Sequence, residues 1–177
     1  MQVINFEFKA RTNELLSLEH KLLSLSPKFI GEDHQVDTYF NVGKGRLKLR
    51  EGNIENALIY YDRDNVADSK QSNVLLYKFQ PDPSLKEILA KVHGIKTIVD
   101  KRRKIYFIDN VKFHFDTVQS FGTFVEVEAI NSGNIPVEKL KEQCNYYASF
   151  FDIQHEDFES KSYSDLIFEY STSKKLE

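Results

Sequence analysis

The chain has no tryptophan and one cysteine, Cys144, in 177 residues. A single thiol excludes an internal disulfide and a zinc site built from cysteines alone. No apolar run approaches the ~18 residues that a membrane helix needs. The opening Met1-Gln-Val-Ile-Asn-Phe-Glu7 lacks a basic n-region and an apolar h-region, so no secretory signal is read and a reducing cytoplasm is the expected compartment. There is no basic excess either. Lys and Arg number 24 against 27 Asp and Glu, a formal charge of −3, which argues against a non-specific nucleic-acid binder. Linkers, internal repeats and low-complexity tracts are missing. The length suits one domain, large enough to bury about 70% of its unfolded surface. We expect that domain over residues 1–170, with a frayed tail at 171–177.

What is present is strand periodicity. In Val3 to Lys9, the residues Asn5, Glu7 and Lys9 alternate with Ile4, Phe6 and Phe8, the period of a strand with one polar and one apolar face. Further strands are read at Gln35–Val42, Arg46–Arg50, Ala57–Arg63, Val74–Phe79, Thr97–Ile108, Val111–Val118 and Phe124–Ile130. Gly43-Lys-Gly45 reads as a hairpin turn rather than a phosphate loop. The polar Ser69–Ser72 reads as a loop. Helices are expected at Thr12–Leu25, Ser84–His93, Val137–Phe150 and Ser162–Tyr170. Cys144 falls on the apolar stripe of the third, with Leu140 and Tyr147, and is expected in the core. In Lys101-Arg-Arg-Lys104 alternation splits the cations between two faces, so it is not read as a nucleic-acid patch.

Charges occupy strand faces in runs of one sign. Arg46, Lys48 and Arg50 lie about 7 Å apart on one face. Lys101 and Arg103 share another face, and Arg63 ends a strand. His114 and Asp116 lie opposite Phe113 and Phe115, and Glu126 and Glu128 lie opposite Val125 and Val127. A solvated face would explain any one strand. Like charges so placed repel unless opposite charges, a ligand or a metal face them. One arrangement accommodates the whole set: an α+β fold with a closed eight-stranded antiparallel β-barrel, helices packed outside and a charged tunnel within. Seven candidate inward cations (Lys9, Arg46, Lys48, Arg50, Arg63, Lys101, Arg103) outnumber four anions (Glu7, Asp116, Glu126, Glu128) in a net acidic chain. Arg forks and Lys point charges suit phosphate oxygens. Clustered carboxylates suit Mg²⁺ or Mn²⁺. Together they point to metal-assisted chemistry on a polyphosphate. Tyr39, Tyr61 and His114 are candidates to line the same tunnel.

Asn5-Phe-Glu-Phe-Lys9, Gln35-Val-Asp-Thr-Tyr-Phe40, Gly45-Arg-Leu-Lys-Leu-Arg-Glu51, Leu58-Ile-Tyr-Tyr-Asp-Arg63, Val99-Asp-Lys-Arg-Arg103, Asp116-Thr-Val118 through Gly122-Thr-Phe-Val-Glu-Val-Glu128, and Ser162-Tyr-Ser-Asp-Leu166 follow in order along the chain. Together they resemble the CYTH superfamily, or triphosphate tunnel metalloenzymes, in the branch related to class IV adenylate cyclases. The resemblance implies a tunnel that binds a triphosphate with a divalent metal. Members of that family make cyclic AMP from ATP or hydrolyse thiamine triphosphate, tripolyphosphate or RNA 5′-triphosphates. By position it implies Glu7, Glu126 and Glu128 as metal ligands with Asp116 in support. It implies Lys9, Arg46, Lys48, Arg50, Arg63, Lys101 and Arg103 as phosphate ligands, and Glu7, Lys9, Glu126 and Glu128 as the catalytic set. It also allows a homodimer. Asn5 departs from the family's Glu-x-Glu-x-Lys strand and brings an amide where a carboxylate is usual. The His-Phe signature ahead of that strand in class IV cyclases is absent too. The expected function is therefore hydrolysis of a triphosphate (tripolyphosphate, ATP or thiamine triphosphate). The alternatives are cyclisation of ATP and, from another class, a non-catalytic polyphosphate- or nucleotide-binding module.

Overall fold

Eight strands close into one antiparallel barrel. The computed structural model describes residues 2–62, 70–131, 133 and 135–173. The strands are β1 (Gln2–Arg11), β2 (Lys28–Phe40), β3 (Arg46–Glu51), β4 (Ala57–Asp62), β5 (Lys70–Lys78), β6 (Ile95–Ile108), β7 (Val111–Val118) and β8 (Gly122–Ile130). Around the barrel they run β1-β5-β4-β3-β2-β6-β7-β8, and β8 pairs back onto β1. Strands β1, β3, β7 and β8 carry an apolar outer row and a largely charged inner row, whereas β4 and β5 turn Ala57, Ile59, Tyr61, Val74 and Leu76 into the lumen. The helices are α1 (Leu15–Leu23), α2 (Pro83–His93), α3 (Val137–Phe150) and α4 (Tyr163–Ser173), with a 3-10 turn at His155–Asp157.

The core lies outside the barrel wall. Phe6, Phe8 and Ala10 of β1, Phe113 and Phe115 of β7, and Val125 and Val127 of β8 face out and are buried under α1 and α3. Leu22 on α1 and Leu140, Cys144 and Tyr147 on α3 fill against them, as the helical stripes predict. Burial pushes the Cys144 thiol up to about 12, so this cysteine is a packing residue. A second apolar cluster, including Tyr39, Ile59, Tyr61, Phe124 and Tyr163, sits inside the barrel at the end where α4 begins.

Two segments differ from their sequence reading. Ser69–Ser72 was expected as a loop, yet Gln71 and Ser72 belong to β5, paired with Phe6 and Asn5; Ser69 lies outside the described residues. Pairing with β1 overrides the polar composition of that segment. Likewise β2 starts at Lys28, seven residues before the expected start, because Lys28–His34 pairs with Arg102–Phe107 across a bulge at Gly31. Gly31 has φ of 146°, and its bend interrupts the alternation that would mark a strand.

Candidate active site

Alternation on β3 turns Lys48 and Arg50 into the lumen, and the pairing of Arg50 with Asp37 sets a carboxylate beside them. Asp37 is fully buried. It accepts from Arg50 Nε at 2.8 Å and Nη2 at 2.9 Å, from Lys48 Nζ at 3.0 Å and from Lys101 Nζ at 3.1 Å. Burial opposes its ionisation, but Arg50, Lys101 and Lys48 outweigh burial and hold the carboxyl well below its usual range. One carboxylate thus gathers three cations. Burial, with Arg103 nearby, lowers the Lys101 ammonium to about 7.

The opposite wall is built from β1, β7 and β8. Register places Glu7 beside Glu128, Lys9 beside Glu126, His114 beside Glu126 and Lys112 beside Glu128. His114 Nδ1 lies 3.2 Å from Glu126 Oε2 and 3.7 Å from Glu128 Oε1. Ligand atoms of His114, Glu126 and Glu128 all fall within 4.8 Å of one another, close enough to share a metal ion. Burial lowers the His114 pKa, which favours the neutral ring, and with Nδ1 facing the Glu126 carboxylate the ring proton belongs on Nδ1. Burial also disfavours charge on Glu126, but Arg103 and His114 outweigh it and hold the carboxyl well below its usual range. Arg103 links the two walls. Its Nε donates to Asp116 at 2.7 Å, and its Nη2 donates to Asp116 at 2.5 Å and to Glu126 at 2.7 Å. Lys9 donates to the Lys161 carbonyl and lies 4.4 Å over the Tyr163 ring; burial lowers its pKa to about 8.

One strand closure fixes that last contact. Glu159 N–H donates to Lys9 O at 2.8 Å, and Phe158 bridges Ala10, which draws the segment before α4 across the barrel end. Ser162 and Asp165 then cap α4 reciprocally, Asp165 N–H to Ser162 Oγ at 3.2 Å and Ser162 N–H to Asp165 Oδ2 at 3.4 Å. Tyr163 points inward and donates to Asp116 Oδ2 at 2.7 Å.

Of the residues expected at the site, Glu7, Lys9, Lys48, Arg50, Lys101, Arg103, Glu126 and Glu128 line one cavity of about 530 Å³. Tyr39 and Tyr61 line it as well. Arg46 does not. It sits at the α4 end with its guanidinium 2.9 Å from Asp165. Asp116 is fully buried behind Arg103, both oxygens engaged, rather than presented to the lumen. Arg63 lies outside the described residues. Asn5 lines the cavity beside Ser72, and among the described residues Asn5 Oδ1 and Ser72 Oγ, both buried, have no hydrogen-bond partner.

The sequence reading missed Asp37, Lys112 and Glu55. The first two had a signal: Asp37 shares a face with Gln35 and Tyr39, and Lys112 precedes His114 by two. Glu55 had none, because it enters the lumen from the turn between β3 and β4, where no alternation operates. The lumen lining holds seven cations against four anions among the described residues; Asp37 and Asp116 behind it bring the balance closer to neutral.

This closed barrel of eight antiparallel strands matches known proteins. The family model for the CYTH domain fits residues 3–163, and the chain belongs to that family. It is 25% identical over 175 residues to a Methanocaldococcus jannaschii protein provisionally named an adenylate cyclase, covering 93% of this chain and 98% of that one. A solved Pyrococcus horikoshii protein is 27% identical, covers 92% of this chain and 98% of its own, and superposes with a TM-score of 0.78. A Hippeastrum protein, provisionally called an adenylyl cyclase and described as having a dominant triphosphatase activity, shares the fold at 14% identity. There the coverage is 96% of each chain and the TM-score 0.64.

Proposed function

We propose that this protein is a divalent-metal-dependent enzyme that binds a triphosphate in the barrel lumen and hydrolyses it. One observation carries this reading: a wall with surplus buried cations faces a wall of clustered carboxylates within a single cavity. Glu7, Glu126 and Glu128 would hold Mg²⁺ or Mn²⁺, with His114 beside Glu126 and Glu128. The donor set fits such an ion, being oxygen-rich and mostly shielded from solvent, and the uncommitted Asn5 Oδ1 offers a further oxygen. When bound, the ion would supply Lewis acidity toward phosphate oxygens. The chain's own groups do the rest. Lys9, Lys48, Arg50, Lys101 and Arg103 bind and orient the phosphates, Arg46 adds positive charge toward the α4 end, and Arg63 is a further phosphate ligand by its place in the sequence alone. Arg103 stays protonated at any working pH because Asp116 grips it bidentately, which makes Asp116 a positioning residue. Lys9, at about 8, can give a proton to the leaving phosphate oxygen near neutral pH.

The substrates to test are tripolyphosphate, ATP and thiamine triphosphate. Release of phosphate, pyrophosphate and cyclic AMP is measured with Mg²⁺ and with Mn²⁺, for the native protein and Glu126→Gln. Phosphate release that vanishes in the variant supports the hydrolase. Cyclic AMP with pyrophosphate from ATP supports the cyclase reading, which the M. jannaschii relative favours. Tripolyphosphate that raises the melting temperature with no turnover supports a binding module, the reading that Asn5 favours. In that case Asn5→Glu should tighten metal binding about tenfold, the worth of one added charged ligand contact. Unchanged metal affinity would dismiss our account of Asn5. No helix among the described residues is long and apolar enough to cross a membrane, and we place the enzyme in the cytoplasm, as a monomer or homodimer that sedimentation would distinguish.

A further inference from the structure

Residues 52–56 join β3 to β4 and would ordinarily lie in solvent. Here the turn folds into the barrel mouth, and Asn53, Ile54, Glu55 and Asn56 line the lumen. Asp33, fully buried, holds it there: its carboxylate accepts the Ile54 N–H at 2.9 Å, the Glu55 N–H at 3.0 Å and Gln35 Nε2 at 2.8 Å. Gly52 and Asn56 close the turn on itself, Gly52 N–H to Asn56 Oδ1 and Asn56 Nδ2 to Gly52 O, each at 3.0 Å. A Cβ at Gly52 would lie 2.7 Å from Asp33 Oδ1 and 2.8 Å from Glu55 O, so the turn sits as close to Asp33 as the backbone allows.

The product of this bracing is the position of one carboxylate. Glu55 Oε2 accepts from Arg50 Nη1 at 3.0 Å and Gln35 Nε2 at 3.1 Å, and Glu55 Oε1 accepts from Lys112. Two cations and an amide converge on it, the donor set that phosphoryl oxygens also take. Arg50 spends its other edge on Asp37, so Glu55 occupies the remaining face of that guanidinium. The cationic run that continues through Lys48 and Lys101 ends here, neutralised by the protein itself.

We infer that Glu55 limits the length of the phosphoryl chain, its carboxylate standing where the next phosphoryl group of a longer chain would stand. This rests on the triphosphate reading above and adds the residue that sets chain-length specificity. A Glu55 that served only to pair Lys112 and Arg50 would be indifferent to chain length.

The test is calorimetric binding of tripolyphosphate and tetrapolyphosphate, without metal, to the native protein, Glu55→Gln and Glu55→Gln/Lys112→Met. The native protein is expected to bind tripolyphosphate at least about tenfold more tightly, against the general trend that more charge binds a basic site better. Glu55→Gln should erase that margin by tightening tetrapolyphosphate, and adding Lys112→Met should remove the gain. Equal native affinities for the two chains overturn the inference, even if Glu55→Gln does not fold. So does Glu55→Gln tightening both chains alike. If the native protein binds neither chain, either without metal or with Mg²⁺ added, the triphosphate reading itself falls. Tripolyphosphate binding with an unaltered preference sinks the role of Glu55 alone.

Discussion

On β2, β3 and β6 a single buried carboxylate, Asp37, receives Arg50, Lys48 and Lys101, whereas on β7 and β8 Glu126 and Glu128 gather around His114, with Glu7 of β1 in register beside Glu128. Both walls leave like charges together where folding alone would separate or dilute them. The first is short of anions. The second is short of cations that are free to serve it, because Lys112 is drawn to Glu55, Lys9 donates to a backbone carbonyl and Arg103 is shared with Asp116. The proposed function would bring an anion to the first wall and a cation to the second. A metal–polyphosphate complex is the simplest ligand that carries both.

The largest expected effect lies on the cationic wall. Asp37→Asn leaves three buried cations without their carboxylate, a loss of about 3–5 kcal/mol by the behaviour of broken buried ion pairs. Urea unfolding without ligand would measure it, and saturating tripolyphosphate should restore part of the loss by supplying the anion. If stability is unchanged, Asp37 does not hold the wall together.

Next comes pH, where two readouts should move in opposite directions. Folded Lys101 and Lys9 titrate near 7 and 8, and in the unfolded chain both return toward 10.5. Between about pH 7 and 10.5 the unfolded state therefore binds more protons than the folded one, so ligand-free stability rises with pH over that window. Phosphate oxygens need the ammonium forms, so tripolyphosphate affinity should fall as these lysines deprotonate, by about tenfold from pH 7 to 8. Lys101→Arg keeps its charge and should flatten the affinity profile. An affinity that is level across that range would show that the two ammoniums do not read the phosphates.

Much of this contrast was legible beforehand, for a reason that also marks its boundary. Period-two alternation exposes every inward residue on a regular strand, which is why Glu7, Lys48, Arg50, Arg103 and Glu126 could be placed from sequence and why the barrel itself followed from them. Arg46 obeyed the alternation but was drawn to Asp165, a partner on α4 at a distance of 119 residues that no local pattern shows. Asp116 was placed on the right face, yet only the fold reveals that Arg103 and Tyr163 consume it. Glu55 enters from a turn, and Lys28–His34 becomes strand through its β6 partner, so both depend on tertiary contacts without local periodicity.

The smallest effect sharpens the acidic wall. Glu7 and Glu128 stand opposite each other on paired antiparallel strands, where like charges cost of order 0.5–1 kcal/mol. Neutralising one of them in Glu128→Gln should leave the metal-free protein as stable as before or more stable by about that much, the reverse of Asp37→Asn. The same variant should lose most of the rise in melting temperature that Mn²⁺ gives the native protein, because a carboxamide oxygen replaces a charged ligand. Stability gained without metal and lost with it is the signature of a charge cluster kept for a cation rather than for the fold. A variant destabilised in both conditions would mean that Glu128 is chiefly a structural partner of Lys112 and His114, and the two walls would then differ in composition but not in purpose.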